Sequence, residues 1–206
     1  MKKILLQTCC APCVTTCVEV LRKKLPWEKV LDKEPDFDEI AIYFYNPNIH
    51  PEEEYHKRAL ETKRFADIAN CVFIEGEYET EIWYDRIKGL EQEPEKGKRC
   101  TTCYGMRLQK TFDYAKNHGY DAVASTLTLS PHKDEKRVNA IGQVFHKKTG
   151  IEYLVSNFKK NNGFKISKDL SRQHCIYCQK YCGCEFSLME RLQQEAKKLQ
   201  NIQNQA

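Results

Sequence analysis

Short apolar runs that alternate with helical-period segments constrain the fold of this chain most tightly. Lys3 to Thr8 reads as a strand, and Pro12 stands where a helix begins, because its missing N–H costs nothing at the first helical position. Cys13, Cys17, Val20 and Leu21 then recur at helical spacing. IAIYFYN, residues 40 to 46, is a second strand, followed by the turn-rich NPNIHP and a helix from about 51 to 69 with Tyr55, Ala59, Ala66 and Ala69 on one face. Cys71 to Ile74 is a third strand, and GLEQEPEKGKRC from Gly89 is a polar loop leading to a helix that starts near Thr101. AVASTLTLS from Ala122 and IEYLVSNF from Ile151 read as further strands, separated by a helix near 134 to 148, and a last helix covers 185 to 200. Strands alternating with helices specify an α/β fold with a mostly parallel sheet and flanking helices. Such a sheet takes its ligands outside the carboxyl ends of its strands.

A length of 206 residues suits a single catalytic domain over 1–206, with a Gln/Asn-rich tail that frays from Gln200. The apolar share of 41% and charged share of 30% indicate neither a disordered nor a membrane protein. In the opening MKKILLQTCC the apolar run is only Ile4, Leu5 and Leu6, short of the roughly 7 to 15 residues of an export signal. No stretch approaches the roughly 20 apolar residues of a membrane span, so the expected location is the cytoplasm. Charge is uneven: residues 1 to 95 carry 13 Lys+Arg against 20 Asp+Glu, whereas residues 96 to 172 carry 16 against 6. A basic block of this size steers a polyanion such as RNA, although charge alone leaves a solvated lysine-rich face equally open.

The 11 cysteines suit metal binding or redox chemistry better than a disulfide framework, which an odd total fits poorly. Three pairs fall in loops: Cys9 and Cys10 after the first strand, Cys100 and Cys103 flanking the start of the helix near Thr101, and Cys182 and Cys184 in a CGC before the last helix. Gly183 lets the backbone turn closely enough for both flanking thiolates to face one site. Thiolates at helix N-termini are expected to have lowered pKa values, which suits metal ligation. Zinc is the ordinary occupant of such thiolates, but a compact ribbon separates its CxxC pairs by roughly 15 to 20 residues. Here Cys103 and Cys175 have 71 residues between them. A four-iron cluster takes four thiolates, and the surplus pair of the six suits a second metal ion or an open iron position. Cys13 and Cys17 fall on the apolar face of their helix, and Cys17 and Cys71 read as core. Cys175 and Cys178 form a further CxxC, either a redox pair or ordinary loop residues.

Five ordered segments carry a resemblance to a known family: LLQTCCAPC from Leu5, YFYNPNIHPEEEY from Tyr43, GLEQEPEKGKRCTTCYGMRL from Gly89, STLTLSPHKD from Ser125 and QKYCGCEFS from Gln179. Together they resemble the QueH family of epoxyqueuosine reductases over nearly the whole chain. The CxxC of Cys175 and Cys178 departs from that family's pattern. The resemblance implies an adenine nucleotide α-hydrolase-like fold with a cysteine-rich metal site at the sheet's C-terminal edge. It implies reduction of the epoxide of epoxyqueuosine in tRNA, the last step of queuosine synthesis, with an electron donor it does not identify. It also implies an iron-sulfur cofactor rather than cobalamin, which with the thiolate count above gives a 4Fe-4S cluster and a surplus pair for a second iron. Cys9 and Cys10 replace the glycine-serine loop with which relatives of this fold hold ATP phosphates, so no ATP requirement is expected.

The cluster-binding set is therefore Cys9, Cys10, Cys100, Cys103, Cys182 and Cys184. His50 and Asp134, in loops just beyond strands, are candidates for the proton donor, against ordinary roles as a turn histidine and a helix N-terminal aspartate. Asn46, Asn48, Arg107 and Lys133 are candidates for substrate binding, although Asn-Pro-Asn is also common turn chemistry. Two other readings stay open. One is a tRNA sulfur-transfer enzyme of the same fold that activates nucleotides; the other is a zinc-stabilised RNA-binding module without catalysis.

Overall fold

The computed structural model describes residues 1–203. Five strands, β1 (Lys3–Gln7), β2 (Glu39–Phe44), β3 (Val72–Glu75), β4 (Ala122–Ser125) and β5 (Glu152–Tyr153), form one sheet in the order β3-β2-β1-β4-β5. Every pairing is parallel, with Leu5 opposite Ala41 on one side and Val123 on the other. Helices cover both faces, so Leu5, Leu6, Ala41, Ile42, Val123 and Ala124 are fully buried, as continuous apolar strands of a parallel sheet require. Among the described residues are seven α-helices, α1 (Ala11–Leu21), α2 (Glu52–Ile68), α3 (Thr80–Ile87), α4 (Lys98–Asn117) and α5 (Glu135–Thr149) between strands, and α6 (Gly163–Gln173) and α7 (Glu185–Gln203) after β5.

Strand order reverses direction at the centre, between β1 and β4, and the carboxyl ends of these strands border a crevice. The first cysteine loop leaves β1 at that point.

Several elements differ from the sequence expectation. The run AVASTLTLS does not continue as a strand: β4 ends at Ser125, whose Oγ accepts from Leu127 N at 3.2 Å and starts a 3-10 turn over Thr126–Leu129. IEYLVSNF contributes only Glu152–Tyr153 to the sheet. Helix α4 begins at Lys98, so Cys100 and Cys103 lie inside its first turns rather than flanking its start. Helices α3 and α6 have no counterpart in the apolar pattern. The face that α6 buries is made of Gly163, Ser167 and Ser171, which permit close approach to α1. Ser167 Oγ donates to Pro12 O at 2.6 Å and Thr16 Oγ1 donates to Gly163 O at 3.2 Å, so polar bonds between small residues take the place of an apolar stripe. Helix α7 takes in the first residues of the tail expected to fray from Gln200, while 204–206 lie outside the described residues. Among the described residues no helix is long and apolar enough to cross a membrane.

Candidate metal centre at the sheet edge

Directly after β1 the backbone is fixed by Thr8 N donating to Tyr43 O at 2.9 Å and by Asn46 Nδ2 donating to Thr8 O at 2.9 Å. Cys10 is the N-cap of α1, in extended conformation, and the helix then brings Cys13 one turn on to the same face. The sulfurs of Cys9, Cys10 and Cys13 all lie within 4.8 Å of one another, and all three residues are buried. Cys9 Sγ and Cys10 Sγ are 3.7 Å apart, and Gln179 Nε2 donates to Cys10 Sγ at 2.8 Å. Cys13 is absent from the six-cysteine set expected above because its helical period matches the core. The C-C-x-x-C spacing held the signal.

In this group the helix dipole does not lower every thiol. Hydrogen bonds from Cys10 and Cys13, helped by the charges of Lys133 and Arg107, hold Cys9 well below the usual thiol range. For Cys10, the hydrogen bond with Cys13 is outweighed by Cys9 and by burial, which push it up to about 12. Hydrogen bonding to Cys10 and Cys9 pushes Cys13 up as well. Cys9 thus gives up its proton more readily than Cys10 and Cys13, and metal ligation would displace the protons that remain.

Four further thiols, from two distant segments, lie near enough for their charges to interact, although among the described residues only Cys9, Cys10 and Cys13 have sulfurs gathered as closely as a single metal ion needs. Cys100 and Cys103 come from α4, and Cys182 and Cys184 from the loop before α7. Burial, and then the neighbouring Cys182 and Cys184, raise the Cys103 thiol to about 12 against the pull of Arg107. Cys100 is likewise raised, first by burial and then by Cys182 and Cys184. Thus the lowering expected from the α4 N-terminus is overridden by desolvation.

Arg58 holds the CGC loop in place from α2. Its side chain is buried, pairs with Glu54 through Nε at 2.7 Å, and donates from Nη1 to Cys182 O at 3.0 Å and from Nη2 to Tyr181 O at 3.2 Å. The backbone of His50 adds a second latch, its N donating to Gly183 O at 2.8 Å while its carbonyl accepts from Tyr181 Oη. Gly183 has φ of 133°, and a Cβ there would meet Ile49 Cγ1 at 3.0 Å and Arg58 Nη1 at 3.1 Å.

Two further cations are buried among the thiols. Arg107 donates from Nη2 to Asn46 Oδ1 at 2.7 Å, and with the Gln7 amide turned to satisfy both its ends, Gln7 O accepts from the same Nη2 at 2.9 Å. Lys133 is 6% exposed. Burial alone would lower both cations, but Cys103 and Cys9 hold Arg107 charged, and Cys182 and Cys9 do the same for Lys133. The sequence gives no hint that these charges are interior, since lysine and arginine are mostly surface residues.

The other candidates lie as follows. Asn46 is buried and fully engaged with Thr8 and Arg107. Asn48 is buried, and its Oδ1 has no partner in the protein. The His50 ring has Nδ1 3.2 Å from Asn48 O and packs near Tyr84, with centroids 5.1 Å apart. Asp134 caps α5, accepting from Arg137 N at 3.1 Å. Cys17 is fully buried in the core, Cys71 half-buried, and Cys175 and Cys178 exposed. A cleft of about 460 Å³ opens above the thiols, with Cys13, Cys182, Lys133, Phe164, Lys168 and Tyr181 among its walls. Soft sulfur donors gathered around buried positive charge suit thiolate-bound iron–sulfur or zinc, and the cations offset the negative charge such a centre adds.

Comparison with known proteins gives a consistent result. The family model described as "Epoxyqueuosine reductase QueH" matches residues 4–190. A relative from Streptococcus pyogenes serotype M1, named epoxyqueuosine reductase QueH, is 40% identical over 89% of this chain and 69% of its own length. One of the same name from Haemophilus influenzae is 40% identical over 91% of this chain and 72% of its own. A third, from Thermotoga maritima, is 32% identical over 96% of both chains.

Proposed function

The chain belongs to the epoxyqueuosine reductase QueH family, and from that premise we propose that it reduces the epoxide of epoxyqueuosine in tRNA to the alkene of queuosine. The carrying observation is that family membership coincides with the buried Cys9–Cys10–Cys13 group and with an open cleft lined by Cys13 and Cys182. The reaction takes up two electrons and two protons, breaks both C–O bonds of the epoxide and releases its oxygen as water.

Cys9, Cys10, Cys13, Cys100, Cys103, Cys182 and Cys184 supply the ligands. Four thiolates hold a 4Fe-4S cluster, and the others are left for a second iron. When bound, such a centre supplies electrons and a Lewis-acidic iron for an oxygen atom. Arg107 and Lys133 keep the assembled charge low, and Arg58 fixes the loop that presents Cys182 and Cys184. Lys133 lines the cleft as a charged donor, and its role in this reading is to hydrogen-bond the departing oxygen. Asp134 already caps α5, so a catalytic role for it would require giving up that bond. Exposed Lys168 and Lys180, also at the cleft, offer contacts to tRNA phosphates. The enzyme works in the cytoplasm, where free thiols stay reduced, and needs neither ATP nor cobalamin.

The test is anaerobic incubation of iron-loaded protein with epoxyqueuosine-containing tRNA and a strong artificial reductant, followed by mass spectrometry of the digested tRNA. The modified nucleoside should lose one oxygen without added ATP or cobalamin. An unchanged epoxide with several competent reductants, or turnover only with ATP, would contradict the reading and favour nucleotide-activating sulfur transfer.

A further inference from the structure

Outside the two thiol groups, one CxxC remains without a role. Cys175 and Cys178 are both exposed, unlike the seven thiols of the centre, which are buried or half-buried. Their segment, between α6 and the CGC loop, is nevertheless attached to the centre. Cys178 lines the same cleft as Cys13 and Cys182, and the next residue, Gln179, donates directly to Cys10 Sγ at 2.8 Å. Arg64 anchors the outer end, donating from Nη2 to Cys175 O at 2.9 Å and from Nη1 to His174 O at 3.1 Å. Tyr177 N donates to Glu61 Oε2 at 2.9 Å, and Tyr177 Oη donates to Glu54 Oε2 at 2.9 Å, fixing the middle. The segment is thus pinned at three points while both cysteines remain exposed residues, with Cys178 Sγ 3.7 Å from Ile176 O.

A CxxC pair is the spacing at which two thiols close to a disulfide and reopen by exchange. We propose that Cys175 and Cys178 are a redox-active dithiol through which an external dithiol reductant supplies the two electrons of the reaction; the inference rests on the reductase reading above. In one turnover the S–S bond between Cys175 and Cys178 forms as the two thiols give up two electrons and two protons. The epoxide C–O bonds break, its oxygen leaves as water with two protons, and its carbons become the alkene. A thiolate of the external dithiol then attacks the Cys175–Cys178 disulfide, and the second thiol resolves the mixed disulfide. The pair is restored and the donor departs as a disulfide.

The position explains why the pair is separate from the metal ligands. A donor protein cannot reach Cys9 or Cys10, which are buried, whereas Cys175 and Cys178 are exposed.

The experiment compares two donors, dithiothreitol and dithionite, with holoenzyme and with Cys175→Ser. First, fully reduced holoenzyme freed of donor is given one equivalent of epoxyqueuosine-containing tRNA anaerobically, quenched in acid, alkylated and analysed by peptide mass spectrometry. One Cys175–Cys178 disulfide should appear for each epoxide reduced. Second, Cys175→Ser should lower the ratio of dithiothreitol-driven to dithionite-driven turnover at least about tenfold, because exchange then has no resolving partner. If dithionite supports turnover but both thiols stay fully alkylatable, or the ratio is unchanged in the variant, the dithiol role is overturned and the reductase reading stands. If the wild type reduces no epoxide with dithionite, both fall together.

Discussion

The two thiol groups meet at one cleft but are built in opposite ways. Cys9, Cys10 and Cys13 lie within a single strand-to-helix junction, where the end of β1 and the first turn of α1 place three sulfurs together from five consecutive residues. Cys100, Cys103, Cys182 and Cys184 come from segments far apart in sequence, and their meeting depends on Arg58, the His50 backbone and the turn at Gly183. Local geometry secures the first group. The second is secured by tertiary contacts, and should therefore be the one that single substitutions outside the ligand set can dismantle.

Arg58→Met is expected to have the largest effect. It leaves the Glu54 carboxylate, 12% exposed, without its cation and with only the Tyr177 hydroxyl, and frees the carbonyls of Tyr181 and Cys182. Removing one partner of a buried ion pair costs about 3 to 5 kcal/mol, measurable by urea unfolding. In the metal-free variant Cys182 and Cys184 should react faster with iodoacetamide while Cys9, Cys10 and Cys13 keep their protection. Equal acceleration at all five would break the distinction between the groups.

Gly183→Ala comes next. Its φ of 133° is disfavoured for alanine, and the new Cβ would crowd Ile49 and Arg58. A cost of about 1 to 3 kcal/mol is expected, again with selective exposure of Cys182 and Cys184. An unchanged urea midpoint would mean that the turn does not hold the second group.

The smallest effect concerns Cys17, behind the first group, whose thiol is raised well above its ordinary value by burial and then by Cys9 and Cys10. As pH rises past the ordinary thiol value the unfolded chain ionises first, so stability falls until the folded value is reached, by about 1.4 kcal/mol per pH unit for this group. Cys17→Val should remove that share of the slope between about pH 8 and about pH 10, read from urea midpoints of metal-free, reduced protein. Other buried thiols and tyrosines keep their own contributions. A slope unchanged by the substitution would contradict the assignment.

What was legible in the sequence follows the same division. The β1–α1 junction was readable because apolar run, Pro12 and cysteine spacing sit side by side, although the period of Cys13 imitated a core position. The α/β architecture followed from apolar alternation, and its failures fall where that signal changes carrier. Helix α6 packs through Gly163, Ser167 and Ser171, and β4 gives way to a 3-10 turn through a serine side chain. The interior cations were not legible. Arg58 and Lys133 look like surface residues until the chain folds them against thiols, and Arg58 stood out in no motif because its partners are backbone carbonyls more than 120 positions away. The lowered thiol pKa values expected at helix N-termini likewise gave way to the Cys9 hydrogen bond and burial at Cys10 and to burial at Cys103.

The proposed reaction requires both groups of thiols to serve one iron–sulfur centre. The most direct test is iron and acid-labile sulfide analysis, with an absorbance spectrum, of anaerobically purified wild type beside the double variants Cys9→Ser with Cys10→Ser and Cys182→Ser with Cys184→Ser. The account expects brown wild-type protein containing iron and sulfide, and loss of iron in each double variant. Full iron in either double variant, or a colourless wild type holding zinc without sulfide, would contradict it.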